Sequence, residues 1–145
     1  MKKAVTLLLL LAVFTASCIF RDDMQALTHN KWRMKSWTVV PEYMGETDLY
    51  AQLPACKKDD FLNFEYESVL ITDEGATKCN DNDPQTVNSY WHMNDDKTEL
   101  TLYNDSTSTI YSVKNINRNN LELETTFEED TAGTTYTWHI TYKAM

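Results

Sequence analysis

Three cysteines, Cys18, Cys56 and Cys79, are the residues of this chain best suited to covalent chemistry. Disulfides within one chain consume thiols in pairs, so one of the three is left over for another purpose. The other reactive residues form no frame for catalysis. His92 and His139 each follow a tryptophan, yet without HxH or HExxH spacing they read as exposed strand residues rather than metal ligands. Asp59, Asp60, Asp81 and Asp83 cluster without the Asp-x-Asp-x-Asp-Gly frame of a calcium loop and read as solvated turns. Neither a Gly-x-Ser-x-Gly elbow nor a glycine-rich phosphate loop occurs. The expectation is a protein that is not an enzyme and carries neither metal nor cofactor.

The position of Cys18 suggests what the odd thiol does. Met1-Lys2-Lys3 precedes an uncharged apolar run from Ala4 to Phe14, the pattern of a secretory signal. A membrane-spanning helix needs about 20 apolar residues, and the polar stretch from Arg21 to Gln25 arrives too soon for one. Thr15-Ala16-Ser17-Cys18 resembles the lipobox of bacterial lipoproteins, with Phe14 where leucine is commoner. That resemblance implies removal of residues 1–17 and lipidation of Cys18, leaving a 128-residue mature chain anchored in the cell envelope. Ile19-Phe20-Arg21-Asp22-Asp23 further resembles the surface-export signal of some Gram-negative lipoproteins. It points to the outer membrane, with the surface and the periplasmic face as alternatives.

Charge limits the partners. The whole chain carries −9, and without Lys2 and Lys3 eleven basic residues face 22 acidic ones, leaving −11 on the exported part. Such a surface repels phosphate backbones, so nucleic acid is not an expected partner, and it is held off anionic lipid. Contact with the membrane then rests on the acyl chains, at about 0.8 kcal/mol per buried CH₂. In an exported, oxidising setting the remaining thiols, Cys56 and Cys79, are expected to pair. A metal-binding or redox thiol pair is the alternative, although neither CxxC spacing nor a nearby histidine supports it.

Elements that could position these residues follow from the alternation of apolar and polar side chains. After a tether with a short helical segment over residues 18–30, one domain spans residues 31–145. Strands are expected at Trp32 to Val40, Phe61 to Tyr66, Ser68 to Asp73, Ser89 to Met93, Thr98 to Tyr103, Thr109 to Ile116, Leu121 to Phe127 and Thr134 to Tyr142. Asn/Asp-rich connections such as Asn94-Asp95-Asp96-Lys97 and Asn117-Arg118-Asn119-Asn120 suit hairpins, because these residues tolerate left-handed backbone. An eight-stranded antiparallel meander with one apolar face removes its edges by closing into an up-and-down barrel, and packing as two sheets is the alternative.

The stretch Cys56-Lys57-Lys58-Asp59-Asp60-Phe61-Leu62-Asn63-Phe64, then Asp73 to Cys79, Trp91 and Leu100-Thr101-Leu102, resembles the lipocalin-like domain of small Gram-negative lipoproteins. The resemblance runs from about Trp32 to the C-terminus and implies an all-β, lipocalin-like (calycin) barrel with no catalytic residues. Asn30-Lys31-Trp32 stands where lipocalins have Gly-x-Trp, with Asn30 in the glycine's place and Trp32 free to plug the barrel bottom.

Such a barrel either fills its interior or holds one small ligand. Facing assigns Phe64, Trp91, Tyr111, Phe127, Tyr136 and Trp138 to the walls of an apolar or amphipathic small-molecule pocket. A lined volume above about 300 Å³ would favour the binder. A filled interior would favour an interaction module that contacts an envelope protein or polysaccharide.

Overall fold

The computed structural model describes residues 23–129 and 133–145, so Cys18 and the signal-like segment lie outside the described residues. Residues 23–29 form helix α1. The strands are β1 (Lys31–Tyr43), β2 (Glu46–Asp48), β3 (Phe61–Phe64), β4 (Val69–Asp73), β5 (Thr86–Met93), β6 (Glu99–Tyr103), β7 (Ser108–Ile116), β8 (Asn120–Glu128) and β9 (Thr135–Ala144). Two single-turn helices, α2 (Leu49–Gln52) and α3 (Ala55–Lys58), lie between β2 and β3.

Strands β1 and β3 to β9 follow one another as antiparallel neighbours, and β9 returns to pair with β1 from Trp32↔Ala144 to Val40↔Thr137. The result is a closed, eight-stranded antiparallel barrel. Asparagine side chains shape its tight turns: Asn94 Oδ1 accepts from the amides of Thr98 and Glu99, Asn104 Oδ1 from Ser106 and Thr107, and Asn117 Oδ1 from Asn119 and Asn120. Each supplies a side-chain acceptor to backbone amides that a tight turn otherwise leaves to water.

Four details differ from the sequence reading. β1 continues past Val40, through a cis Val40–Pro41 bond, to Tyr43, where the three-residue β2 folds back on it as a ninth strand. β3 stops at Phe64 because Ser68, at φ 63°, belongs to the turn rather than to a strand. β5 starts at Thr86, three residues earlier than Ser89, because pairing with β4 extends to Asp73↔Thr86. The helices α2 and α3 carry no amphipathic period, and α2 is set by Asp48, whose Oδ1 accepts from the Ala51 amide at 3.0 Å.

Alternation decides which side chains point inward, and two bulges reset it. On β9, Tyr136, Ile140 and Tyr142 are buried, and on β8 Leu121 and Leu123 face them across the ladder. Along β1, Trp32 and Met34 point inward, but the register shifts between Met34 and Ser36, so that Trp37 pairs with Ile140 and Val39 with Trp138. An extra residue at Lys35 thus turns odd-numbered residues inward for the rest of the strand. A second shift between Val113 and Asn115 turns Ile116 to the interior of β7.

One end of the barrel is filled. α1 lies across it with Leu27 fully buried, and Trp32 Nε1 donates to the Leu27 carbonyl at 2.9 Å, so Trp32 forms a packed plug. Phe64 and Trp91 meet edge to face at 5.7 Å, and Trp91 Nε1 donates to the Glu65 carbonyl at 3.0 Å, closing the β3–β4 turn.

The other end is roofed by residues 44–60, tied to the β4–β5 loop by a Cys56–Cys79 disulfide with Cα atoms 5.2 Å apart. Beside it the Asp59 carboxylate accepts from the amides of Ala76 and Thr77 at 2.9 Å and from the Thr77 hydroxyl at 2.8 Å. The Thr77 hydroxyl bond and these amides hold the Asp59 pKa below its ordinary value. The loop can come this close because Gly75 has φ +68° and no Cβ, which would stand 2.4 Å from the Asp59 carbonyl oxygen.

Candidate functional site

Beneath this roof lies a partly enclosed cavity of about 210 Å³ inside the barrel. Its walls come from inward positions: Trp32, Met34 and Trp37 of β1, Leu62 of β3, Thr72 of β4 and Tyr142 of β9. Leu53 and Lys57 cover it from the roof, and Asp60 and Phe61 complete the rim. The cavity exists because the roof replaces side-chain packing: the closed end is filled by Leu27 and Trp32, whereas α2 and α3 bury no residue completely.

Polar groups concentrate at one place on this apolar wall. Lys57 Nζ lies 2.6 Å from Glu74 Oε1 and 3.3 Å from Asp60 Oδ2, so one cation bridges two carboxylates and the group carries −1 when all three are ionised. The bond to Glu74, more than that to Asp60, holds the Lys57 pKa above its ordinary value. Asp60 moves upward as well, because loss of water outweighs the Lys57 charge beside it. Asp60 Oδ1 and Glu74 Oε2 are buried and meet no hydrogen-bond partner among the described residues, and the same holds for Trp37 Nε1. Buried polar atoms of this kind are uncommon in folded proteins, and a ligand can satisfy them.

Burial also sets the alkaline behaviour of the wall. The Tyr142 hydroxyl is pushed well above the ordinary tyrosine range by desolvation, with the Tyr111 charge adding to it, and Tyr111 rises through desolvation alone. An unfolded tyrosine ionises near pH ~10. Above that pH the unfolded chain releases a proton that folded Tyr142 keeps. The stability this residue contributes is therefore fully present below pH ~10 and is lost as pH rises further. The urea midpoint should be lower at pH ~11 than at pH ~9, and Tyr142→Phe should shrink that gap.

The six residues assigned to ligand walls fall into separate groups. Phe64 and Trp91 are packed in the closed end, and Tyr111 is half-buried against the same core. Phe127, Tyr136 and Trp138 form an aromatic cluster at the roofed end. In it, Phe127 lies 4.6 Å from Trp138 and 5.1 Å from Tyr136, while Trp138 meets Trp37 edge to face at 5.2 Å. None of the six lines the enclosed cavity, which Trp138 approaches only through Trp37. Phe127 and Trp138 instead line an open cleft of about 710 Å³ between β7 and β8. There β7 and β8 pair from Ile116↔Leu121 to Ser112↔Glu124, and beyond that point the Thr125 hydroxyl donates to the Ile110 carbonyl at 2.8 Å.

Sequence reasoning missed Trp37, Lys57 and Asp60. Strict alternation from Trp32 turns Trp37 outward, and only the bulge brings it in. Lys57 and Asp60 stand within the stretch that carries the lipocalin-like resemblance, so they were visible as residues but not as parts of one site. Among the described residues no three His, Cys, Asp or Glu side chains are grouped to hold a metal ion. No family model matches the chain, and a search of curated proteins found no match.

Proposed function

We propose that this protein is a lipid-anchored envelope lipoprotein whose barrel binds a small amphipathic molecule beneath the α2–α3 roof. The observation that carries the reading is the apolar cavity with a few buried polar atoms converging on its rim. Its volume of about 210 Å³ is below the 300 Å³ expected of a ligand pocket, so the ligand is small. At roughly 30 Å³ of liquid volume per water molecule, it has space for about seven non-hydrogen atoms.

The anchor at Cys18 rests on the Lys2-Lys3 start, the apolar run and the small residues before the thiol. Cys18 stands five positions before Asp23, the first described residue of α1, a reach of at most about 18 Å of extended chain. Since α1 covers the filled end, an anchored barrel presents its roofed end away from the leaflet.

Organic extraction and mass spectrometry of protein purified from its own envelope test the reading. A stoichiometric small molecule should be recovered, and Thr72→Phe, which fills the cavity from β4, should lower its occupancy at least tenfold. Native protein free of any small molecule, or a recovered molecule whose occupancy Thr72→Phe leaves unchanged, would turn the reading to an interaction module. An exposed feature suits that alternative: Tyr90 and Tyr103 stack at 5.5 Å on the outer sheet, near exposed Ile110.

A further inference from the structure

We propose that the cavity selects a ligand carrying a primary ammonium group, bound by Asp60, with a short apolar chain lying between β1, β3 and β4. The proposal rests on the small-molecule reading above and names the chemistry of its polar end.

The polar rim sets the sign of the charge it accepts. Two carboxylates share one lysine, so an entering cation neutralises the cluster whereas an anion adds a third negative group. Lys57 is already committed to both acids and offers little to an anion. Asp60 and Glu74 each keep one buried oxygen without a partner among the described residues, and Asp60 lies on the cavity wall itself.

An ammonium carries three donors, enough for Asp60 Oδ1 with others to spare, and its bond to a carboxylate is charge-assisted. A hydroxyl offers a single neutral donor. Burial raises the Asp60 pKa despite the adjacent lysine, a sign that its ionised form is undersolvated where a ligand cation would stand. The walls beyond, Met34, Leu62 and Trp37, offer a chain only apolar contact apart from the indole N–H.

A series matched in length isolates the charge: n-hexylamine, hexan-1-ol and hexanoate, titrated near neutral pH against the full folded protein by calorimetry and tryptophan fluorescence. Hexylammonium should bind at least tenfold more tightly than hexanol, and hexanoate most weakly. Asp60→Asn should bring the amine to the affinity that the alcohol shows for the same variant. If Asp60→Asn does not fold, Lys57→Met serves instead and should widen the gap between amine and alcohol. An alcohol that equals the amine, or a hexanoate that exceeds it, would overturn the charge selection and leave the small-molecule reading standing. Failure of all three to bind, together with an inert Thr72→Phe, overturns both.

Discussion

Trp32→Ala should lower the free energy of unfolding by about 3–5 kcal/mol, measured as a shift in the urea midpoint at nearly constant slope. Trp32 is fully buried at the closed end, and its removal opens a large void that surrounding Phe64, Leu121 and Tyr142 cannot fill without leaving their own strands. The indole also donates to the Leu27 carbonyl, linking this ring to α1. Truncation therefore adds an undocked helix to the lost packing. Trp32→Phe separates the two contributions. It keeps most of the apolar volume but leaves the Leu27 carbonyl without its donor, and should cost about 1–3 kcal/mol. A loss below about 1.5 kcal/mol for the alanine variant would mean that the plug and helix contribute little to closing the barrel.

Breaking the Cys56–Cys79 bond should cost about 3 kcal/mol and lower the melting temperature by roughly 10 °C. The bond closes a loop of sequence separation 23, which gives the unfolded chain more freedom once it is cut. In the folded state the cost is smaller than for an unsupported link, because Asp59 still accepts from Ala76 and Thr77 and Lys57 still reaches Glu74. The reduced protein should thus remain a folded barrel with a looser roof. Thermal unfolding with and without reductant, beside a Cys56→Ser/Cys79→Ser variant, measures the effect. An unchanged melting temperature with two titratable thiols would show that the side-chain contacts hold the roof alone.

Particular elements show how far the chain could be read without coordinates. The last strand was legible because Tyr136, Trp138, Ile140 and Tyr142 alternate with Thr137, His139 and Thr141, and this pattern has one interpretation on a half-buried strand. Hairpins were legible because Asn94 and Asn117 act on amides a few residues away. β1 was legible only as far as Lys35, since a bulge leaves no mark in composition but reverses every facing beyond it. The roof was not legible at all: α2 and α3 are single turns held by a cap, a disulfide and ion pairs, without a hydrophobic period of their own.

The same distinction separates the candidate site from the fold. Local order in the chain determined most of the strands and the antiparallel meander, because alternation and turn chemistry act over short stretches, whereas closure of the barrel and the Cys56–Cys79 bond were expectations with alternatives until the β1–β9 ladder and the disulfide were seen. Only the tertiary structure decided that Trp37 faces inward, that Phe64 and Trp91 lie in a filled end, and that Lys57 bridges Asp60 and Glu74 at the rim of a cavity. Glu74 stands 17 residues from Lys57 and belongs to a different loop. Such contacts depend on register, bulges and loop docking, which arise when distant segments compete for the same space and are not recorded in the periodicity of any one of them.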